Sequence, residues 1–132
     1  MRALLDTHAL LWYLNDSPLL PETARHVISS TEYVETSIAS LWEIAIKIAL
    51  GKMEVDGASE PLTIRGIADD CRMSGIDIVP ISVDALAGLE QLPDIHKDPF
   101  DRLIVAQATC EGLTIVTKDA NIQRYDVETI WD

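Results

Sequence analysis

The chain has 132 residues, of which 48% are hydrophobic, and this length predicts a single domain over residues 1–132 with one core. The formal net charge of −12 argues against a protein that wraps a nucleic-acid backbone with a broad basic face, since Lys and Arg dominate phosphate binding. No stretch reaches the roughly 18 apolar residues that a membrane span needs, so we expect a soluble cytoplasmic protein without a membrane partner.

Short apolar strands alternate with helices along the chain. In chain order, the pattern predicts strand 2–6, helix 8–15, helix 21–30, strand 33–36, helix 38–50, helix 62–74, strand 76–81, helix 82–92, helix 100–111, strand 113–117 and edge strand 127–130. The polar segment 53–61 is predicted to be a loop. Because parallel strands need crossover helices that cover the sheet, we expect an α/β domain of three layers, α/β/α, around a short, mainly parallel sheet.

Two of the helices carry clear start and stop signals. Ser37 is expected to cap the helix over 38–50, and Gly51 to end it in a left-handed conformation. Asp98 and Pro99 occupy the first positions of the later helix, where a capping carboxylate and a proline are both favoured, and Gly112 ends it.

Two aspartates follow predicted strands. In open α/β sheets, ligands bind beyond the carboxyl ends of the strands, near the point where the strand order reverses. Asp6 ends the first strand and Asp119 follows the strand 113–117, so both are expected at that edge. Each has an ordinary alternative role as a helix cap or turn residue, and Thr7 could cap the first helix in place of Asp6.

Two further aspartates lie at the start of the helix over 100–111. The helix dipole favours an acid there, but two acids are more than capping needs. Asp98 is the better cap by position, which leaves Asp101 on the next face of the same turn to point toward the strand ends. We therefore assign Asp101 to the candidate site and keep Asp98 as a second-tier candidate.

A single glutamate interrupts the most apolar helix. Glu43 lies in SIASLWEIAIKIAL, which is apolar on nearly every face and therefore predicted to be buried. A buried carboxylate is costly unless it is paired or bound to a metal. The alternative to a site role is an ion pair with Lys47, one turn later.

The candidate acids favour hard divalent cations. A cluster of Asp and Glu without His or Cys selects Mg²⁺ or Mn²⁺ over zinc, and such a site would activate water for phosphodiester hydrolysis. His8, His26 and His96 have no ligand-like spacing, so surface or hydrogen-bonding roles are expected for them. Cys71 and Cys110 lack CxxC or CxxH spacing and are interpreted as buried structural thiols.

Four motifs resemble those of a known family. HKDPFDRLIVAQA at residues 96–108, LLDTHALLW at 4–12, SLWEIAIKIALGK at 40–52 and TIVTKD at 114–119 together resemble the PIN-domain ribonucleases, and more narrowly the VapC-type toxins of bacterial toxin-antitoxin pairs. The resemblance covers essentially the whole chain, in the family's order. It places the family's four acidic positions on Asp6, Glu43, Asp101 and Asp119, and a frequent Ser or Thr position on Thr117.

The resemblance implies an activity and partners that spacing alone does not. It implies a PIN-like domain that cleaves RNA endonucleolytically with Mg²⁺ or Mn²⁺, is inhibited by a cognate antitoxin protein and forms homodimers. Asp98 belongs to the DPFDR signature, which raises the odds that it touches metal. Such toxins differ in the segment 53–61.

Basic and aromatic residues near the acids are weaker candidates. Arg102, Lys47 and Lys118 adjoin them in sequence and could meet phosphate, although a solvated surface role is favoured for each singly. Trp12 and Trp42 could stack a base or form a partner surface, and for Trp42 core packing is favoured.

Three alternatives are weighed against the nuclease. A receiver-type signalling module that binds Mg²⁺ needs an acid after the third strand, and IDIVPIS offers none at its end. A phosphatase of the D-x-D type would need an acid where His8 lies. A PIN-like domain without nuclease activity would bind a partner only, which the four acids disfavour.

Overall fold

The structure is a computed structural model that describes residues 1–53 and 62–132. Its elements are β1 (Arg2–Leu5), α1 (Thr7–Leu14), α2 (Glu22–Ser30), β2 (Tyr33–Ser37), α3 (Ile38–Ala49), α4 (Ile64–Met73), β3 (Ile76–Val79), α5 (Val83–Glu90), α6 (Pro99–Glu111), β4 (Thr114–Val116) and β5 (Thr129–Ile130). A 3-10 turn at Ile122–Arg124 was not predicted. Most of the predicted loop 53–61 lies outside the described residues.

The five strands form one sheet in which every neighbouring pair is parallel. The strand order is β3-β2-β1-β4-β5, which confirms the predicted parallel α/β architecture. After β1 the chain builds β2 and β3 on one side, and it returns to place β4 on the other side of β1. The strand order therefore reverses between β1 and β4, where Leu5 pairs with Val116. Ligand sites in such sheets lie at this point, beyond the carboxyl ends of the two strands.

Helices cover both faces of the sheet. Alternate residues of β1 point to opposite faces: Ala3 and Leu5 belong to one buried cluster, and Leu4 belongs to the other. The first cluster is completed by residues of α1 to α4, and the second by Ile104, Val105 and Ala108 of α6. The predicted three layers are thus confirmed. None of the helices in the described ranges is long and apolar enough to cross a membrane.

The predicted helix ends are confirmed by their hydrogen bonds. Ser37 Oγ accepts a hydrogen bond of 3.0 Å from Ala39 N at the start of α3. Gly112 ends α6 with φ +70°, a left-handed conformation that favours glycine. These ends depend on neighbours along the chain, which is why sequence predicts them well.

Two predictions about burial are wrong. Trp42, which the pattern predicts in the core, is 57% exposed and packs edge-to-face on Phe100 with 5.0 Å between the ring centroids. Leu41 and Ile44 occupy the buried face of α3 instead. The prediction failed because a helix that is apolar on nearly every face does not reveal which of its sides will be buried. Cys71 is buried as predicted, but Cys110 in the last turn of α6 is exposed.

Candidate metal centre

Asp6 and Asp119 lie at the reversal point between β1 and β4, and Thr117 connects them. The Thr117 hydroxyl donates to Asp6 Oδ2 at 2.5 Å and accepts a hydrogen bond of 2.9 Å from Asp119 N. Asp6 and Thr117 are buried, with 5% and 0% exposed. The parallel register of β1 and β4 therefore brings Asp6 together with Thr117 and Asp119, which lie more than 100 positions later in the chain.

Asp6 has a structural role as well as its place in the cluster. Its Oδ1 accepts a hydrogen bond of 2.9 Å from Ala9 N, so Asp6 is the N-cap of α1, and Thr7 does not take that role. Burial raises the pKa of Asp6 above its usual value, against the lowering effect of the hydrogen bonds from Thr117 and Ala9. Burial disfavours the charged form of this carboxylate, and a bound cation would favour it again.

Asp101 and Asp119 meet across the side chain of His96. His96 Nε2 lies 3.0 Å from Asp119 Oδ2, with which it is hydrogen-bonded, and 3.1 Å from Asp101 Oδ2. The backbone N–H of Asp98 donates to His96 Nδ1 at 3.1 Å. Because Nδ1 is an acceptor, the proton of the neutral ring lies on Nε2, which is the donor toward the carboxylates.

His96 is the residue whose place sequence reasoning missed. Its side chain is 12% exposed, which excludes the predicted surface role and agrees with the alternative, a hydrogen-bonding role. The available signal was its position two residues before Asp98, the N-cap of α6: this places the imidazole beside the first turn of the helix, where Asp101 lies. Spacing between histidines, by contrast, carried no information about it.

The charges of this cluster shift three pKa values. Burial, the charge of Asp98, and to a lesser extent the charges of Asp119 and Glu43 raise the pKa of Asp101 to about 7, although His96 lowers it. Burial raises the pKa of Asp119, but the hydrogen bonds from His96 and Ile122 N outweigh it, so that this pKa lies below its usual value. Burial lowers the pKa of His96, and the hydrogen bond and charge of Asp119 raise it, with a net increase. Negative charge is in excess at the centre.

Glu43 reaches the same neighbourhood from α3. Its Oε1 accepts a hydrogen bond of 2.7 Å from the Thr7 hydroxyl, and its Oε2 lies 3.1 Å from Lys47 Nζ. The side chain of Glu43 is 12% exposed, as predicted for an acid in this helix. The ion pair with Lys47 is therefore present, and it coexists with a position close enough to raise the pKa of Asp101. The Glu43 carboxylate is thus held by Thr7 of α1 and by Lys47 of its own helix, α3.

The second-tier candidates are placed as follows. Asp98 caps α6, since its Oδ1 accepts hydrogen bonds from Phe100 N at 2.8 Å and Asp101 N at 3.3 Å. Arg102 is engaged by Pro93 O at 3.0 Å and by the hydroxyl of Tyr125 at 3.2 Å, so its guanidinium braces the loop before α6. Lys118 lies over the ring of Trp12, with Nζ 5.6 Å from the centroid.

The donor chemistry fits a hard divalent cation. One side-chain atom each of His96, Asp101 and Asp119 lies within 4.8 Å of the others, so the carboxylates of Asp101 and Asp119 are close enough to share a cation, and Asp6 adjoins Asp119 through Thr117. Crowded carboxylates, one of which has its pKa raised to about 7, form a site whose repulsion a cation relieves. Oxygen ligands of this kind suit Mg²⁺ or Mn²⁺.

The fold is shared with several solved structures. The structure of VapBC2 from Rickettsia felis bound to a promoter DNA fragment matches with a TM-score of 0.72 and 17% identity, covering 100% of both chains. The FitAcB complex from Neisseria gonorrhoeae matches with a TM-score of 0.67 and 20% identity, over 97% of this chain and 96% of that chain. DNA-bound VapBC from Salmonella typhimurium matches with a TM-score of 0.69 and 17% identity, over 98% and 97%. At these identities, the likeness concerns the fold.

A parallel α/β domain with carboxylates at its reversal point defines the class of protein. A comparison with curated protein sequences found no match. The PIN domain family model matches residues 3–128, and the chain belongs to the PIN domain family. This confirms the resemblance carried by the four sequence motifs, and it removes the receiver module and the D-x-D phosphatase from consideration.

Proposed function

We propose that this chain is a single PIN domain over residues 1–132 that acts as a metal-dependent endoribonuclease and is the toxin of a toxin-antitoxin pair. Asp6, Glu43, Asp101 and Asp119 would be its catalytic and metal-binding residues, with Mg²⁺ or Mn²⁺ as cofactor. The observation that carries the proposal is the convergence of carboxylates at the reversal point: Asp101 and Asp119 lie on either side of His96, and Asp6 adjoins Asp119 through Thr117. The pKa of Asp101, raised to about 7, agrees with this crowding.

The protein's own residues would bind and orient the reacting groups. When bound, the cation would lower the pKa of a water molecule and stabilise negative charge on the scissile phosphate. Thr117 fixes the rotation of the Asp6 carboxylate, and Thr7 with Lys47 fixes that of Glu43. Rigid placement of the carboxylates limits the reorganisation that the reaction would otherwise require.

A groove beside the acids supports single-stranded RNA as the substrate. It has a volume of about 620 Å³ and is lined by Thr7, Trp12, Lys47 and Lys52, among others. Lys118 stands over the ring of Trp12, so three of the chain's four lysines lie in or next to this groove. An aromatic face with nearby cations suits stacked bases and phosphates, and Thr7 and Lys47 link the groove directly to Glu43.

The toxin role is supported by the relatives and by charge. Structures of similar fold include VapBC and FitAB complexes, several of them bound to DNA. A net charge of −12 would attract a basic segment of an antitoxin. An exposed apolar stripe on α3, with Ile38, Trp42 and Ile46 at intervals of four residues, supports the homodimer that the family resemblance implies. A PIN domain that only binds a partner remains the second candidate.

Cleavage assays with matched variants test the proposal. The purified protein is incubated with single-stranded and structured RNA in Mn²⁺, in Mg²⁺ and in EDTA, together with Asp6→Asn and Asp101→Asn. We expect cleavage only with metal and a loss of about two or more orders of magnitude in each variant, because the metal contributes several kcal/mol of transition-state stabilisation. Asp94→Asn, at an exposed loop position, should retain full activity.

Two results would contradict the nuclease. Cleavage that persists in EDTA, or in both site variants, would come from another site or from a contaminant. Wild-type protein that binds Mn²⁺ but cleaves none of the RNAs, alone or after removal of a copurified partner, would favour the binding-only alternative.

A further inference from the structure

We propose that His96 is a positioning residue of the candidate metal centre, which holds the carboxylates of Asp101 and Asp119 together through its Nε2–H without itself binding the cation. This inference rests on the proposed function, and it adds a residue that the acid pattern does not contain. Its basis is the contact of one imidazole nitrogen with two carboxylates, at 3.0 Å and 3.1 Å.

A backbone hydrogen bond to the other ring nitrogen, Nδ1, sets the orientation of the imidazole. Asp98 N, at the N-cap of α6, donates to His96 Nδ1 at 3.1 Å. Nε2 therefore carries a proton, which is hydrogen-bonded to Asp119 Oδ2, while Asp101 Oδ2 lies 3.1 Å from the same nitrogen. To ligate a cation, Nε2 would have to lose this proton, and a neutral ring would then place its N–H on Nδ1, facing the Asp98 N–H. Two donors would oppose each other, so the backbone contact disfavours ligation.

The two carboxylates differ in how well they are held without His96. Asp119 Oδ1 accepts hydrogen bonds from Asn121 N at 2.8 Å and Ile122 N at 3.0 Å, so this side chain is fixed at one end by the backbone. Asp101 has no side-chain contact other than His96 among the hydrogen bonds and ion pairs of the described residues. Its like-charged neighbours favour rotation away from Asp119. The imidazole opposes that rotation.

The contact with His96 leaves room for a cation. Each carboxylate oxygen has two lone pairs; the Nε2–H uses one of them at Asp119 Oδ2, and Asp101 Oδ2 only lies close to the same nitrogen. The carboxylates thus keep further lone pairs for a cation, while the His96 imidazole sets the distance between them. Hydrogen bonds to metal-binding carboxylates from an outer layer of residues have this effect in general, and their loss typically costs 10- to 100-fold in metal affinity or activity.

Two amide substitutions separate the contacts of His96. In His96→Gln, the amide nitrogen lies near the position of Nε2, so the donor toward the carboxylates is retained. In His96→Asn, the shorter side chain keeps an acceptor for Asp98 N but does not reach the carboxylates. His26→Ala, at an exposed position on α2, is the matched control. Thermal unfolding in EDTA establishes that each variant is folded before metal is added.

Mn²⁺ affinity, measured by calorimetry on the full chain, is the readout. We expect His96→Asn to bind Mn²⁺ about 10- to 100-fold more weakly, and His96→Gln and His26→Ala to stay within about 3-fold of wild type. Electron spin-echo spectra of the Mn²⁺-loaded wild type should contain no coupling from a directly bound imidazole nitrogen.

Each contrary result overturns the inference in a distinct way. Equal Mn²⁺ affinity in wild type and His96→Asn removes any positioning role, while equal losses in His96→Asn and His96→Gln would mean that only packing of the ring matters. A nitrogen coupling would make His96 a ligand. Wild-type protein that binds no Mn²⁺ would overturn the proposed function and this inference with it, whereas normal binding and cleavage with no effect of the substitutions would overturn the inference alone.

Discussion

Replacing Asp101 by Asn should stabilise the metal-free protein at neutral and higher pH while it weakens metal binding. With its pKa raised to about 7, Asp101 keeps its proton in the folded protein up to about that pH, whereas the unfolded chain releases it near the ordinary pKa of 3.8. The folded state therefore binds more protons than the unfolded state in this window, and the free energy of unfolding falls as the pH rises from about 4 to 7. Asn removes the charge and with it this dependence.

The magnitude follows from the size of the shift. Each pH unit between about 5 and 7 costs the wild type about 1.4 kcal/mol, and the loss ends when Asp101 is ionised in both states. From about pH 5 to pH 8, the wild type should thus lose about 3 kcal/mol more than Asp101→Asn. The side chain of Asp101 is 19% exposed, so solvent screening reduces this figure only moderately.

Urea unfolding in EDTA at several pH values measures this difference. Other groups titrate in both proteins, so the contrast between them isolates Asp101, and Asp94→Asn controls for the loss of one negative charge. Added Mn²⁺ should stabilise the wild type by about 2.7 kcal/mol at 100 times its dissociation constant, but Asp101→Asn much less. If Asp101→Asn is no more stable than wild type at pH 8 in EDTA, the proposed crowding of negative charge at this centre is wrong.

Two further substitutions test the site and the core. Thr117→Val removes the hydroxyl that donates to Asp6 Oδ2, so the Mn²⁺ affinity measured by calorimetry should fall about 10-fold or more. Thr117→Ser keeps the hydroxyl and should stay near wild type. Equal Mn²⁺ affinities of Thr117→Val and wild type would mean that Thr117 does not orient Asp6. Ile104→Ala creates a cavity under the sheet at a fully buried position, and urea unfolding should register a loss of about 2–5 kcal/mol; a change below about 1 kcal/mol would contradict the described packing of α6.

Three of the four acids illustrate how far sequence reasoning reaches. Asp6 and Asp119 were assigned from their positions after strands, and the parallel pairing of β1 with β4 does bring them together. Glu43 was assigned from the cost of a carboxylate in an apolar helix, and the structure places it at a largely buried position with Thr7 and Lys47 as partners. Their role as metal ligands stays a prediction. In each case, the argument used local position together with a general rule about sheets or burial.

His96 and Trp42 mark where such reasoning ends. His96 contacts Asp119, 23 positions later, and nothing in the intervening sequence encodes that approach. Trp42 and Glu43 are adjacent on a helix that is apolar on nearly every face, and the pattern does not tell which of them faces outward. Both outcomes depend on how α3 and α6 are rotated against the sheet.

The sequence by itself determined where helices begin and end, which segments are strands, and that the sheet is parallel, because caps, turns and hydrophobic periodicity act between residues a few positions apart. Only the tertiary structure decided the strand order, the contact of Thr117 with Asp6 across 111 positions, and the place of the imidazole between two carboxylates. Those features arise from packing the helices onto both faces of the sheet, where the burial of many side chains at once selects a single arrangement.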